Sequence, residues 1–167
     1  MIETYYLLDH QNDFAGAIIS AAGVKIPESI SSMTITMGKV FSKITPRSGL
    51  LALDASAVSK DPAVVKAYVS DPLVYTGKLT ARLSAEMLRA MLKVTDEVGK
   101  ITLPMIIVQG KADRMIDPAG SQMLYDKSSS TDKTLKMYDG LYHEVFNEPE
   151  REQVLKDVEN WLEAHLK

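Results

Sequence analysis

Two residues in this chain have the type and the position for acid–base chemistry, an aspartate and a histidine that each follow a predicted strand. The apolar run Leu103–Gly110 ends in glycine, and Asp113 stands three residues beyond it. The carboxyl ends of strands in open α/β sheets are where ligands and catalytic groups collect. Thirty residues later, beyond a second predicted strand (134–138) and the turn Asp139-Gly140, comes Leu141-Tyr142-His143. An imidazole titrates near neutrality and can act as a general base. A carboxylate bound to its other nitrogen fixes its tautomer and stabilises the cation that forms. Taken singly, each residue has a plainer reading, Asp113 as a turn former and His143 as a solvated loop side chain. Their placement at successive strand ends favours the catalytic pair.

The neighbouring candidates have other roles. Asp117 precedes Pro118 and has the form of a helix N-cap with proline at the first helical position. His10 falls near the end of a predicted first helix and His165 in the last turn of the final one, where a cation meets the helix dipole. Both read as surface residues. Three scattered histidines and no cysteine give no ligand spacing, so neither a metal nor a cofactor is expected. Ser20, at the end of another strand, is the nearest hydroxyl in position, but no strained turn or pair of N–H groups surrounds it.

Those two residues need a sheet to hold them, and the pattern supplies one in pieces. Helical spacing runs from Ile2 to His10 without a capping residue ahead of it. Two readings are open for that start: a frayed terminus, or a helix whose beginning lies upstream. Residues 14–20 form a short apolar run typical of a parallel strand buried on both faces, 103–110 reads as a second buried strand, and 134–138 as a third. Between residues 21 and 100 the character changes, with Pro27, Pro46, Pro62 and Pro72 separating amphipathic stretches and no convincing strand. Helices are predicted over 31–43 (stripe Ile30, Met33, Met37, Phe41, Ile44), from Asp61-Pro62 through Tyr68, and over 80–97 (Leu83, Met87, Leu88, Met91, Leu92). A last helix over 150–166 places Val154, Leu155, Val158, Trp161 and Leu162 on one face. The fold class is therefore α/β, about three parallel strands with flanking helices. Residues 1–22 and 100–167 form a partial core, and 23–99 form a helical insertion. A three-strand sheet leaves the strand of Ile18 and Ile19 with an open edge, which calls for a homodimer or a complementing N-terminal segment.

Composition narrows the function. With 46% hydrophobic and 25% charged residues and a formal charge of -3, the chain matches an ordinary globular domain. It has no basic stripe for nucleic acid. Absence of cysteine points to a reducing compartment, the cytoplasm as the first expectation. No run approaches the ~20 apolar residues of a bilayer span, which leaves membrane contact peripheral at most.

Gly110-Lys111-Ala112-Asp113-Arg114, the strand from Asp132 to Tyr138, Gly140-Leu141-Tyr142-His143 and the terminal Trp161-Leu162 helix resemble the C-terminal region of the monoacylglycerol lipase and lysophospholipase group of α/β-hydrolases, the S33-type serine hydrolases. The order acid then histidine also fits that fold. Asp9 to Ser20 is similar to the helix and strand that follow the nucleophile elbow there. The resemblance implies a helical cap over 23–99, an acyl ester or monoglyceride-like substrate, and a Ser-His-Asp mechanism with Asp113 and His143 as acid and base. It also makes Met33, Met37, Phe41, Met87 and Met91 candidates for an adaptable acyl pocket, although methionines at helical spacing are also ordinary packing. In the family a Gly-x-Ser-x-Gly elbow would lie just before residue 1, and no serine of this sequence has that glycine pattern. The expected activity is therefore that of a carboxylic-ester hydrolase whose serine is not in these residues. The alternative is an inactive truncated hydrolase that self-associates or complements an N-terminal half.

Overall fold

Six residues without a polar–apolar alternation, Met105–Gly110, form the strand on which the rest is built, and all six are buried. The computed structural model describes residues 1–26 and 31–166. In chain order its strands are β1 (Ala17–Ser20), β2 (Gly49–Ala52), β3 (Lys78–Thr80), β4 (Met105–Gly110) and β5 (Lys133–Tyr138). Its α-helices are α1 (Ile2–His10), α2 (Ser32–Ile44), α3 (Pro62–Ser70), α4 (Ala81–Glu97), α5 (Ala119–Lys127) and α6 (Arg151–His165). β4 is central in the order β1-β4-β5 and pairs in parallel on both sides, Ile19 with Ile107 and Ile107 with Leu135.

Alternation along β4 then decides which side chain meets which layer. Met105 and Ile107 enter a cluster with Leu7 and Leu8 of α1, Val94 of α4 and Leu124 of α5. Ile106 and Val108 face Val154, Val158 and Trp161 of α6. Burying one such side chain contributes about 1.5–3 kcal/mol, so covering both faces of β4 is the main reason the strand forms here. The same alternation sends Gln109 toward α5 and Gly110 toward the loop that carries His143.

Several expectations change. The stretch between residues 21 and 100 does contain strands: β2 and β3 pair antiparallel, Leu51 against Leu79 and Ala52 against Lys78. All of β2 is exposed, so no burial pattern marked it in the sequence. Leu155 and Leu83 are 46% and 47% exposed and do not belong to the packed faces assigned to them. The cap stripe also faces out, with Met33, Met37, Phe41 and Ile44 all exposed, and Ile30 lies outside the described residues. The start of α3 is as expected, Asp61 Oδ1 accepting from Ala63 N at 2.8 Å. At α5 the cap position falls on Pro118 rather than on Asp117, although Asp117 Oδ1 still accepts from Ala119 N at 2.9 Å. Among the described residues no helix is long and apolar enough to cross a membrane.

The last change concerns His165, which is not a free surface residue. Its ring stacks on Trp161 with centroids 4.2 Å apart. Nδ1 lies 2.6 Å from the Trp161 carbonyl oxygen, and Nε2 lies 3.0 Å from Asp132 Oδ2. Both partners only accept, so the imidazolium, which donates from both nitrogens, is the form that satisfies them. The Trp161 carbonyl, then the Asp132 carboxylate, raise the His165 pKa above its ordinary value against partial burial. A group raised on folding contributes fully below its unfolded pKa, about 6.5, and its contribution fades as pH climbs through the higher folded value. His165→Gln is therefore expected to cost more stability at pH 6 than at pH 8.5. Urea unfolding of both proteins at the two pH values measures this, and an equal loss at both would contradict the assignment.

Candidate active site

The turn after β4 is held from two directions before Asp113 is reached. Lys111 N donates to the Tyr138 carbonyl at the end of β5 (2.8 Å), and Ala112 N donates to the Leu141 carbonyl of the histidine loop (3.0 Å). Asp113 therefore emerges where the ends of β4 and β5 converge, with its side chain shut off from solvent. Every donor around its carboxylate is assigned. Oδ1 accepts from Met115 N at 2.8 Å and Ile116 N at 3.1 Å. Oδ2 accepts from Gln109 Nε2 at 3.0 Å and faces His143 Nδ1 at 2.9 Å. Burial alone pushes this carboxyl up, but the His143 contact and the Ile116 and Met115 amides outweigh it and hold the group below the usual carboxylate range. A carboxylate offers no proton, so Nδ1 of His143 carries the hydrogen and the neutral ring keeps its lone pair on Nε2. That is the tautomer a general base requires.

The histidine loop is fixed by its own sequence. Gly140 takes φ 72 in the turn after β5, a conformation that glycine enters freely. Leu141 is buried among Val108 and Val145. Gly110 is what lets this loop pass: a Cβ there would fall on the carbonyl oxygens of Leu141 and Tyr142.

Glu148, completely buried, clasps the loop to the residues that lead into α3. Its Oε1 accepts from Tyr142 N at 3.0 Å and from Lys60 N at 3.1 Å. The Glu144 amide adds a bond to the Val58 carbonyl at 2.8 Å. Arg114 lies over the Tyr142 ring at 4.8 Å and donates to the Ser56 carbonyl at 3.1 Å. Replacing Glu148 with methionine orphans two backbone donors, each worth about 1–3 kcal/mol when buried without a partner. Glu148→Met should therefore lose about 2–6 kcal/mol in urea unfolding, and a loss below about 1 kcal/mol would show that water replaces the clasp.

Asp113 and His143 thus come together as the sequence suggested, while the other candidates stand apart. Ser20 is exposed at the end of β1. Among the described residues no hydroxyl hydrogen-bonds Nε2 of His143, and no group of His, Asp and Glu is arranged to hold a metal. Two clefts border the histidine loop. One of ≈ 430 Å³ is lined by Ser59, Lys60, Val65, Lys66, Arg114 and Tyr142. The other, of ≈ 320 Å³, is lined by Val64, Tyr68, Val74, Glu144 and Asn147 among others. Met33, Met37, Phe41, Met87 and Met91 line neither; Met87 and Met91 are half-buried on α4.

A buried carboxylate in contact with a histidine at adjacent strand ends of a parallel sheet is an arrangement able to act as an acid–base pair, and the fold that carries it is that of the α/β-hydrolases. Solved structures agree: monoacylglycerol lipase of Paleococcus ferrophilus superimposes with a TM-score of 0.86 at 28% identity, over 98% of this chain and 64% of that one. The family model described as serine aminopeptidase, S33 matches residues 1–150, and the chain belongs to that family. Its curated relatives include monoacylglycerol lipase of Mycolicibacterium smegmatis, 39% identical over 94% of this chain and 56% of the relative. Another is monoglyceride lipase of Mus musculus, 36% identical over 92% and 52%. The chain therefore spans about half the length of the curated relatives it matches.

Sequence reasoning missed Gln109, Ser121 and Glu148. Gln109 had a visible mark, a lone amide at the end of an otherwise apolar strand. Glu148 had none, since its partners Lys60 and Tyr142 are backbone donors brought in from elsewhere in the chain.

Proposed function

We propose that this chain supplies the acid and base of a carboxylic-ester hydrolase that cleaves monoacylglycerol- or lysophospholipid-like substrates. The observation that carries the reading is the 2.9 Å contact between His143 Nδ1 and the buried Asp113 Oδ2. In this scheme Nε2 takes the proton of a serine hydroxyl as that oxygen attacks the acyl carbonyl. The resulting imidazolium returns the proton to the departing alcohol, and His143 then activates water to free the fatty acid. No Gly-x-Ser-x-Gly segment occurs in the 167 residues. The serine is therefore assigned to a segment outside them, as are the oxyanion donors, each worth roughly 2.7–4 kcal/mol of barrier. The acyl chain would lie under the cap, with Met87 and Met91 as its flexible contacts and Met33, Met37 and Phe41 extending that apolar surface. The experiment is labelling by a fluorophosphonate together with hydrolysis of a short p-nitrophenyl ester, with and without the N-terminal portion of a relative. Turnover that appears on mixing and vanishes in His143→Ala supports the reading; neither labelling nor turnover on mixing defeats it.

A second reading rests on β1. Its only strand partner is β4, which leaves the other edge of Ala17–Ser20 open among the described residues. Such an edge takes up another strand, either from a second copy or from an N-terminal half, and association without turnover would follow. Light scattering of the purified chain tests this, a strictly monomeric and cooperatively unfolding species counting against it.

A further inference from the structure

Behind Asp113 runs a buried chain of hydrogen bonds whose direction is set at its far end. A backbone N–H can only donate, and that of Ala22 donates to Ser121 Oγ at 3.1 Å. The Ser121 hydroxyl is thereby left to point its own hydrogen at Gln109 Oε1, 2.7 Å away. With its oxygen engaged there, the Gln109 amide presents both N–H groups the other way, to the Gly110 carbonyl and to Asp113 Oδ2, each at 3.0 Å. A flipped amide would set its oxygen against those two acceptors and leave the Ser121 hydrogen without a target, so only one orientation satisfies every member. Ser121 and Gln109 are fully buried, which denies water the chance to substitute.

The backbone is shaped to hold this arrangement. Ala21 adopts φ 48, the left-handed region that costs a residue with a side chain roughly 1–2 kcal/mol. It does so in the turn that delivers Ala22. Gly120 lets α5 approach closely, because a Cβ there would strike the Ala22 carbonyl.

We infer that Gln109 is a positioning residue of the site: its amide, oriented through Ser121 by the Ala22 N–H, holds Asp113 Oδ2 in line with His143 Nδ1. The two backbone amides on Oδ1 fix one end of the carboxylate but leave it free to twist about its axis; the Gln109 bond removes that freedom. The inference rests on reading Asp113 and His143 as acid and base, and it extends that reading into the core between β4 and α5.

The test follows the His143 Nδ1 proton by NMR in the chain labelled with both ¹⁵N-histidine and ¹⁵N-isoleucine. In Gln109→Met, which keeps the volume but not the donor, its exchange with water should accelerate roughly tenfold, the factor of a hydrogen bond to a charged group. Ser121→Ala, which only frees the amide to turn, should accelerate it less. The Ile107 amide serves as the reference, because a merely structural loss would speed both protons by the same factor. Unchanged Nδ1 exchange in both variants, or a change no larger than that of Ile107, overturns the inference. Should Gln109→Met fail to fold, Ser121→Ala decides alone. Asp113→Asn separates the two levels: if the Nδ1 signal survives there unaltered, the acid–base pair itself is wrong, whereas a loss there without a response in the Gln109 and Ser121 variants removes only the positioning role.

Discussion

Asp113→Asn is expected to lower ester turnover about 10⁴-fold in the assembly that carries the nucleophile, with the fold retained. The magnitude follows from the four donors that surround this carboxylate. Oδ1 faces the backbone amides of Met115 and Ile116, which cannot turn away, so the asparagine oxygen must take that position. Its NH₂ then occupies the Oδ2 position, opposite Gln109 Nε2 and His143 Nδ1. To accept from it, His143 must move its hydrogen to Nε2, and the ring loses the lone pair that would activate the serine. A second consequence appears in stability. The Asp113 pKa is lowered, so its contribution is present above the unfolded value near 3.9 and is lost as pH falls through the folded one. The stability gap between the native protein and Asp113→Asn should therefore be widest near neutrality and shrink below pH 4. Turnover at pH 8 and urea unfolding between pH 3 and 7 give both quantities. A loss of turnover under tenfold would mean that His143 does not depend on this carboxylate for its tautomer.

What made Asp113 and His143 legible in the sequence was strand grammar. β4 is an apolar run with no alternation because it is covered on both faces, whereas β1 and β5, at the edges of the sheet, are only partly covered and were marked by short runs bounded by turn residues. Buried strands announce themselves, and so do the residues just past their carboxyl ends. Helix starts were equally readable where a local side chain does the capping, as Asp61 does for α3. β2 and β3 failed to show because their pairing joins segments far apart in sequence on an exposed surface, where neither burial nor a hairpin turn leaves a trace. The apolar stripe of α2 misled in the opposite way: helical spacing correctly called for a helix, yet spacing alone cannot say whether a neighbour covers the stripe.

The supporting residues of the site were hidden for a different reason. Glu148 joins Tyr142 to Lys60, which is distant in sequence, and Gln109, although Gly110 and Asp113 are its neighbours in the chain, is oriented by Ser121 of α5; only the tertiary fold assembles those arrangements. His165 was placed rightly at a helix C-terminus, but its packing on Trp161 depends on Asp132 arriving from the start of β5. Patterns of period two or 3.6 report which face is apolar, whereas polar networks report nothing until the chain has closed on itself.

Gly110 is the residue where strand grammar and site geometry meet, and its replacement should be among the most damaging single changes available. A Cβ at this position would fall on the carbonyl oxygens of Leu141 and Tyr142, which are backbone atoms and cannot rotate aside. Either the end of β4 or the histidine loop must move. The loop cannot move alone, because Ala112 N is bonded to the Leu141 carbonyl at 3.0 Å and Tyr142 N to Glu148 at 3.0 Å. Gly110→Ala is therefore expected to cost about 3 kcal/mol or more in urea unfolding, the upper range for overpacking. A displacement near 1 Å at His143 should also lower turnover about 10²-fold in whatever molecules still fold. Two other glycines supply the contrast. Gly140→Ala meets open space but must adopt φ 72, so it should lose only about 1–2 kcal/mol. Gly38→Ala also meets nothing, in the middle of α2, and should gain about 1 kcal/mol from helix propensity. The same substitution at three sites thus carries three different outcomes, each set by what surrounds the added carbon. If Gly110→Ala proved as mild as Gly140→Ala, the histidine loop would have to lie further from β4 than it does here, and the contact between Asp113 and His143 would lose its support.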